Sequence, residues 1–181
     1  GPVWKWMALE GGVLYALAGA AEVQVDTLAS TNFGIGQWPW GMWKGHDYKD
    51  PARNFGFGRT FAAFDTTTLK LLWHRREDDY IDSRGVCMRN GRIYYYAPRQ
   101  YVACLDVRTR TQLWKRADVE ILGAIGPDRR AQNPREGFAT QTYVKCDDDC
   151  LFFAGPQRSN IVALATRDGS LLWQQRDGNR L

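Results

Sequence analysis

The sequence predicts an all-β chain of about three four-stranded antiparallel sheets, and three observations carry that prediction. An eleven-residue segment recurs as Ala63-Phe-Asp65-Thr-Thr-Thr68-Leu-Lys-Leu-Leu-Trp73, as Cys104-Leu-Asp106-Val-Arg-Thr109-Arg-Thr-Gln-Leu-Trp114 and as Ala163-Leu-Ala165-Thr-Arg-Asp168-Gly169-Ser-Leu-Leu-Trp173. In each copy the tryptophan lies eight positions after the Asp slot, at 65 to 73, 106 to 114 and 165 to 173. Self-similarity at a period of about 40 residues is the mark of a solenoid or a propeller. The third observation is Asn90-Gly91 between two strand-forming runs, a type I′ hairpin signal because both central residues need positive φ.

The middle copy is free of insertions and defines the unit. Ile81 to Met88 reads as a first strand, and Arg92 to Tyr96 as a second, rich in aromatic strand formers. Ala97-Pro98-Arg99-Gln100 turns the chain into Tyr101–Leu105, and Asp106 to Thr111 turns it again into Gln112–Arg116. Four short strands in a meander match one propeller blade. Asp65 and Asp106 can accept hydrogen bonds from backbone N–H groups two or three residues on, and Thr68 and Thr109 can do so more weakly. Only the third copy places a glycine next, Gly169. Leu69 and Arg110 take that slot in the other two, so those turns differ or tolerate strain. Trp73, Trp114 and Trp173 offer large apolar faces suited to packing between neighbouring blades.

The recurring Ala-x-Asp-x-x-Thr-Gly-x-x-x-Trp pattern resembles the PQQ-like β-propeller repeat. That repeat is found in pyrroloquinoline-quinone dehydrogenases, in the propeller lipoprotein of the outer-membrane barrel-assembly machine, and in many extracytoplasmic bacterial proteins. The resemblance covers nearly the whole chain and implies a partial propeller. Blade one would run over 4–75 with an insertion at 32–58, blade two over 80–116 and blade three over 137–175. Propellers close with four to eight blades, so three blades leave sheet faces open and the chain reads as part of a larger polypeptide. Fold alone does not assign function, because the same blades serve enzymes, scaffolds and binding proteins.

The net charge of +4 is spread along the chain with no basic run of five or more, which argues against a nucleic-acid footprint. No apolar run approaches the ~18 residues of a membrane span. Cys146-Asp-Asp-Asp-Cys150 brackets a short turn and is a candidate disulfide, with reduced thiols and a mixed metal site as the other readings. Cys87 and Cys104 fall on the first and third strands of one blade, about 10 Å apart and beyond bridging reach. They read as small buried hydrophobes.

Two stretches depart from the repeat. Asn32 to Gly58 carries Trp38, Trp40, Trp43 and His46 among glycines and prolines. Such a loop either stacks on a flat ligand, glycan or partner, or packs on itself to cap the propeller; self-packing is preferred. His46, Asp47 and Asp50 read as solvated residues rather than a cation site. Glu120 to Arg135, with Arg129, Arg130 and Arg135, reads as an inter-blade loop. His74 follows Trp73 and faces the opposite side of its strand.

A quinoprotein dehydrogenase would require, by the resemblance, a quinone stacked between a tryptophan and an adjacent Cys-Cys disulfide, with Ca²⁺ beside it. The chain has no adjacent cysteine pair, and no family active-site residue carries over. The expectation is therefore a non-catalytic protein-interaction scaffold in an extracytoplasmic (periplasmic or cell-envelope) bacterial protein, with no cofactor. Its partners would be other proteins or the remaining blades. The alternatives are part of a PQQ-dependent dehydrogenase, with PQQ and Ca²⁺, or a carbohydrate- or polymer-binding propeller.

Overall fold

A computed structural model of the chain describes residues 2–19, 48, 51–53, 56–126, 142–154 and 160–176. Twelve strands among them form three sheets. The first holds β1 (Val3–Glu10), β2 (Val13–Gly19), β3 (Phe57–Asp65) and β4 (Leu71–Asp82). The second holds β5 (Val86–Arg89), β6 (Arg92–Ala97), β7 (Tyr101–Asp106) and β8 (Gln112–Arg116). The third holds β9 (Tyr143–Cys146), β10 (Cys150–Ala154), β11 (Ile161–Ala165) and β12 (Leu171–Gln175). Every neighbouring pair is antiparallel and strand order follows chain order. These are three meander blades of an unclosed, partial propeller.

The repeated segment makes the same turn three times. The amide of Leu69, Arg110 and Gly169 donates to the carbonyl four residues back, on Asp65, Asp106 and Ala165, at 2.8 Å each. All three have left-handed φ values of 58°, 63° and 71°. Leu69 and Arg110 thus adopt the conformation a glycine would take and tolerate the strain. Asp65 accepts from the amides of Thr67 and Thr68, and Asp106 from those of Arg108 and Thr109. In the third copy Asp168 does this work from a later slot, accepting from the amide and hydroxyl of Ser170. A further repeated bond ties each turn to the first hairpin of its sheet. The amides of Thr66, Val107 and Thr166 donate to the carbonyls of Gly12, Gly91 and Asp149. Asn90 and Gly91 have φ of 50° and 69°, as the type I′ hairpin requires.

Alternation along the strands sends side chains to both faces, and two cores result. Tyr15, Leu17, Phe61, Ala63 and Trp73 of the first sheet meet Ile93, Tyr95, Tyr101 and Leu105 of the second. The opposite face of the second sheet, with Tyr94, Tyr96, Val102, Cys104 and Trp114, meets Val144, Leu151, Phe153, Val162 and Leu164 of the third. The repeat tryptophans occupy one register position, opposite Ala63, Cys104 and Ala163. Trp73 and Trp114 are 9% exposed, but Trp173 is 44% exposed, because no described sheet follows it. The Trp114 indole N–H donates to the Thr166 carbonyl at 2.9 Å, so it seats on the repeat turn of the next sheet.

That seating explains the one glycine in the repeat. A Cβ on residue 169 would lie 2.7 Å from the Trp114 ring carbons Cε3 and Cζ3. Gly169→Ala is expected to destabilise the chain by about 2–3 kcal/mol, chiefly through this clash with some left-handed strain. Urea denaturation checks it, and a change below about 0.5 kcal/mol would show that the indole can move aside.

Two boundaries differ from the sequence expectation. The strand expected over Ile81 to Met88 is divided: Ile81 and Asp82 end β4, paired with Gly58 and Phe57, and Ser83–Gly85 form a 3₁₀ turn before β5. The cause is Asp82, whose carboxylate accepts from the Arg84 amide and bends the chain. The stretch from Glu120 opens inside a helix, α1 (Val119–Ile125), rather than a loop. Ile121, Ala124 and Ile125 at helical spacing are buried, and Gly126 at φ 94° ends it.

Candidate functional site at the meeting point of the three sheets

At the end of the strands opposite the repeat turns, a fully buried carboxylate gathers segments from all three sheets. Asp82, at the end of β4, has no exposed surface. Its Oδ1 accepts from the Arg84 amide at 3.0 Å and Nε at 2.9 Å. Its Oδ2 accepts from Arg84 Nη2 at 2.8 Å and from the Tyr48 hydroxyl at 2.7 Å. Tyr48 comes from the insertion in blade one and is itself fully buried. With its proton committed to Asp82, the Tyr48 oxygen accepts from the hydroxyl of Thr142, at 2.6 Å, just ahead of β9. Arg99, in the turn after β6, donates from Nη2 to the Tyr48 carbonyl at 3.2 Å. Tyr48 also meets Phe57 edge-on, with ring centroids 5.7 Å apart.

The charges follow from this geometry. Burial works to raise the Asp82 carboxyl, but the Arg84 charge and the hydrogen bonds from Arg84 and Tyr48 outweigh it. The carboxyl therefore stays ionised below its ordinary value. Burial, then the Asp82 charge, push the Tyr48 phenol well above its usual range, so it remains neutral. Four donors occupy the roughly four lone-pair sites a carboxylate offers, so Asp82 has none left to take a proton from a substrate. The arrangement is a clamp that fixes the insertion to the blades.

A second polar cluster lies at the other end, where the first hairpin of each sheet lines up. Glu10 Oε2 accepts from the Gly91 amide at 2.8 Å, joining the first and second sheets. Asp148 Oδ1 accepts from Arg89 Nε and from Asn90 Nδ2, joining the second and third. A cavity of about 210 Å³ opens there, lined by Arg89, Asn90, Arg92, Tyr94, Asp147 and Asp148.

Of the residues singled out from sequence, Trp38, Trp40, Trp43, His46, Asp47, Asp50, Arg129, Arg130 and Arg135 lie outside the described residues. Among the described residues of the 32–58 insertion, Tyr48 and Phe57 are buried against the blades, and sequence reasoning passed over Tyr48. His74 is exposed opposite Ala62, on the face away from Trp73. Cys146 and Cys150 are not brought together: Cys146 pairs with Leu151, so Cys150 projects from the opposite face of the sheet. All four cysteines are free thiols. Cys104 is buried, as expected, while Cys87 is half-buried and packs, as Cys146 does, against the core between the second and third sheets. Among the described residues no group of three His, Cys, Asp or Glu side chains is placed to hold a metal ion, and no helix is long and apolar enough to cross a membrane.

No protein-family model matches the chain. A curated relative, 1-butanol dehydrogenase (cytochrome c) of Thauera butanivorans, is 26% identical over 171 residues, covering 92% of this chain and 22% of the relative. The chain thus spans about a fifth of that relative's length. Among solved structures, the computationally designed Ika4 protein superposes with a TM-score of 0.54 at 9% identity, over 98% of this chain and 74% of that one. BamB from Moraxella catarrhalis gives a TM-score of 0.45 at 15% identity, over 66% of this chain and 33% of that one. In its repeat and in its three blades, this chain resembles the PQQ-like β-propeller proteins, as a partial propeller.

Proposed function

We propose that this chain is a non-catalytic propeller segment that serves as a protein-interaction scaffold in an extracytoplasmic bacterial protein. The observation that carries the reading is the open face of the third sheet. Trp173 is 44% exposed there, in the register where Trp114 seats on a following blade. An apolar surface of this construction takes another protein face, either a further blade or a separate partner. A photo-crosslinking residue placed at Trp173 in the intact protein is expected to capture a polypeptide segment, and one placed at exposed Arg167 to capture none. Equal or absent capture at both positions would overturn the scaffold reading.

A second reading, part of a quinoprotein alcohol dehydrogenase, is favoured by the similarity to the butanol dehydrogenase. The described residues do not fit the quinone and its Ca²⁺. The two buried carboxylates are already engaged, Asp82 by Arg84 and Tyr48, and Glu77 by Arg75 at 2.7 Å. The sequence also has no adjacent cysteine pair. Titration of the purified chain with pyrroloquinoline quinone and Ca²⁺, followed by tryptophan fluorescence, is expected to show no saturable quenching. Saturation at micromolar or lower quinone would put the dehydrogenase reading first.

A further inference from the structure

Cys87 and Cys146 face one another across the junction of the second and third sheets. Cys87 is in register with Tyr94, which is in register with Cys104 and so with Trp114, all on the face that packs on the third sheet. Cys146 is in register with Leu151, in the same core. Both thiols pack against that core from neighbouring strands, β5 and β9, and each influences the ionisation of the other. Their strands, β5 and β9, are held on both sides of the pair. Two residues beyond each cysteine, Arg89 and Asp148 form an ion pair. Ahead of them Gly85 lies against Thr142, whose Cγ2 would be 3.3 Å from a Cβ on the glycine. The pair is 59 residues apart in sequence, so a bond between these sulfurs would staple one blade to the next.

We propose that Cys87 and Cys146 are a redox-active pair that closes into an inter-blade disulfide by exchange with an external disulfide. The Cys146 thiolate attacks one sulfur of the external disulfide, whose S–S bond breaks and releases a thiolate. Cys87 then loses its proton and attacks Cys146 Sγ in the mixed disulfide, and the second external thiolate leaves. The two protein thiols are oxidised by two electrons, the external disulfide is reduced to two thiols, and the two protons pass to the departing thiolates. The order follows from the surroundings. The neighbouring Cys87 thiol, then the Arg89 guanidinium, favour ionisation at Cys146 against burial and the charges of Asp147 and Asp148, while Cys146 and burial hold the proton on Cys87. The route in for the external disulfide is the cavity lined by Arg89, Asn90, Arg92, Tyr94, Asp147 and Asp148, in which Tyr94 is the register partner of Cys87 and Asp147 follows Cys146. Cys150 is excluded, since it projects from the far face of the third sheet.

The proposal is tested on the full chain with oxidised glutathione as probe. After incubation, remaining thiols are alkylated and non-reduced peptides are mapped by mass spectrometry. The expected result is loss of two of the four thiols, one linked peptide pair containing Cys87 and Cys146, and a thermal midpoint that rises and falls back on reduction. Cys150→Ser and Cys104→Ser should keep both the link and the shift, whereas Cys87→Ser and Cys146→Ser should lose both. The wild-type peptide map decides even where a variant fails to fold. A Cys146–Cys150 or Cys87–Cys104 link, only glutathione adducts, or four persistent thiols would each overturn the proposal.

Discussion

Trp114→Ala is expected to lower the free energy of unfolding by about 3–5 kcal/mol, against less than about 1 kcal/mol for Trp173→Ala. The two residues hold the same position in their sheets, opposite Cys104 and Ala163, so strand propensity and register cancel in the comparison. What differs is the neighbour. Trp114 lies in the core between the second and third sheets, donates its N–H to the Thr166 carbonyl, and stands 6.1 Å from the Tyr94 ring. Its removal opens a cavity at a junction pinned by backbone on the far side, where little can collapse into the space. Trp173 stands 6.3 Å from the Phe152 ring, with 44% of its surface in solvent. Urea unfolding of the two variants measures the difference. Similar losses for both would mean that the inter-blade contact contributes nothing beyond the sheet itself.

The architecture was legible because the repeat states the same local physics three times. The turn that starts at Asp65, Asp106 and Ala165 and the tryptophan eight positions later predict the sheets and their register, and Asn90-Gly91 places a hairpin. Boundaries were harder where local signals compete. Ile81 to Met88 reads as one extended run, yet the Asp82 carboxylate caps its own backbone two residues on and breaks the strand. Helix α1 is seven residues long, contains Gly123 and runs up to a Gly-Pro pair, so the irregular composition hides its apolar spacing. The clamp was invisible for a different reason. Tyr48 meets Asp82 and Thr142 across 34 and 94 residues, and none of the three belongs to the repeat. The one local trace is Asp82-Ser-Arg84-Gly85, a sequence suited to an Asx turn. Cys87 and Cys146 are likewise separate in sequence and meet only through blade packing, whereas the nearby pair Cys146 and Cys150 is parted by strand alternation.

Asp82→Ala is expected to cost about 3–5 kcal/mol at pH 7, the range for breaking a buried ion pair from one side. The loss is large because the partners stay behind. The Arg84 guanidinium, 17% exposed, loses two bonds to the carboxylate, and the fully buried Tyr48 hydroxyl loses its acceptor. The clamp also spans three sheets, so its loss loosens the insertion as well as the corner after β4. The pH dependence carries a definite sign. The folded carboxyl titrates below its ordinary value, so its stabilisation is complete above the unfolded value of about 3.9 and fades as pH falls through the lower, folded value. The gap between wild type and Asp82→Ala should therefore be constant from pH 7 to about pH 5 and shrink below about pH 4. Urea midpoints of both proteins across that range give the curve directly. A gap that stayed the same down to pH 3 would show that Asp82 is not held as a carboxylate by Arg84, and the clamp would then be a packing contact rather than an ion pair.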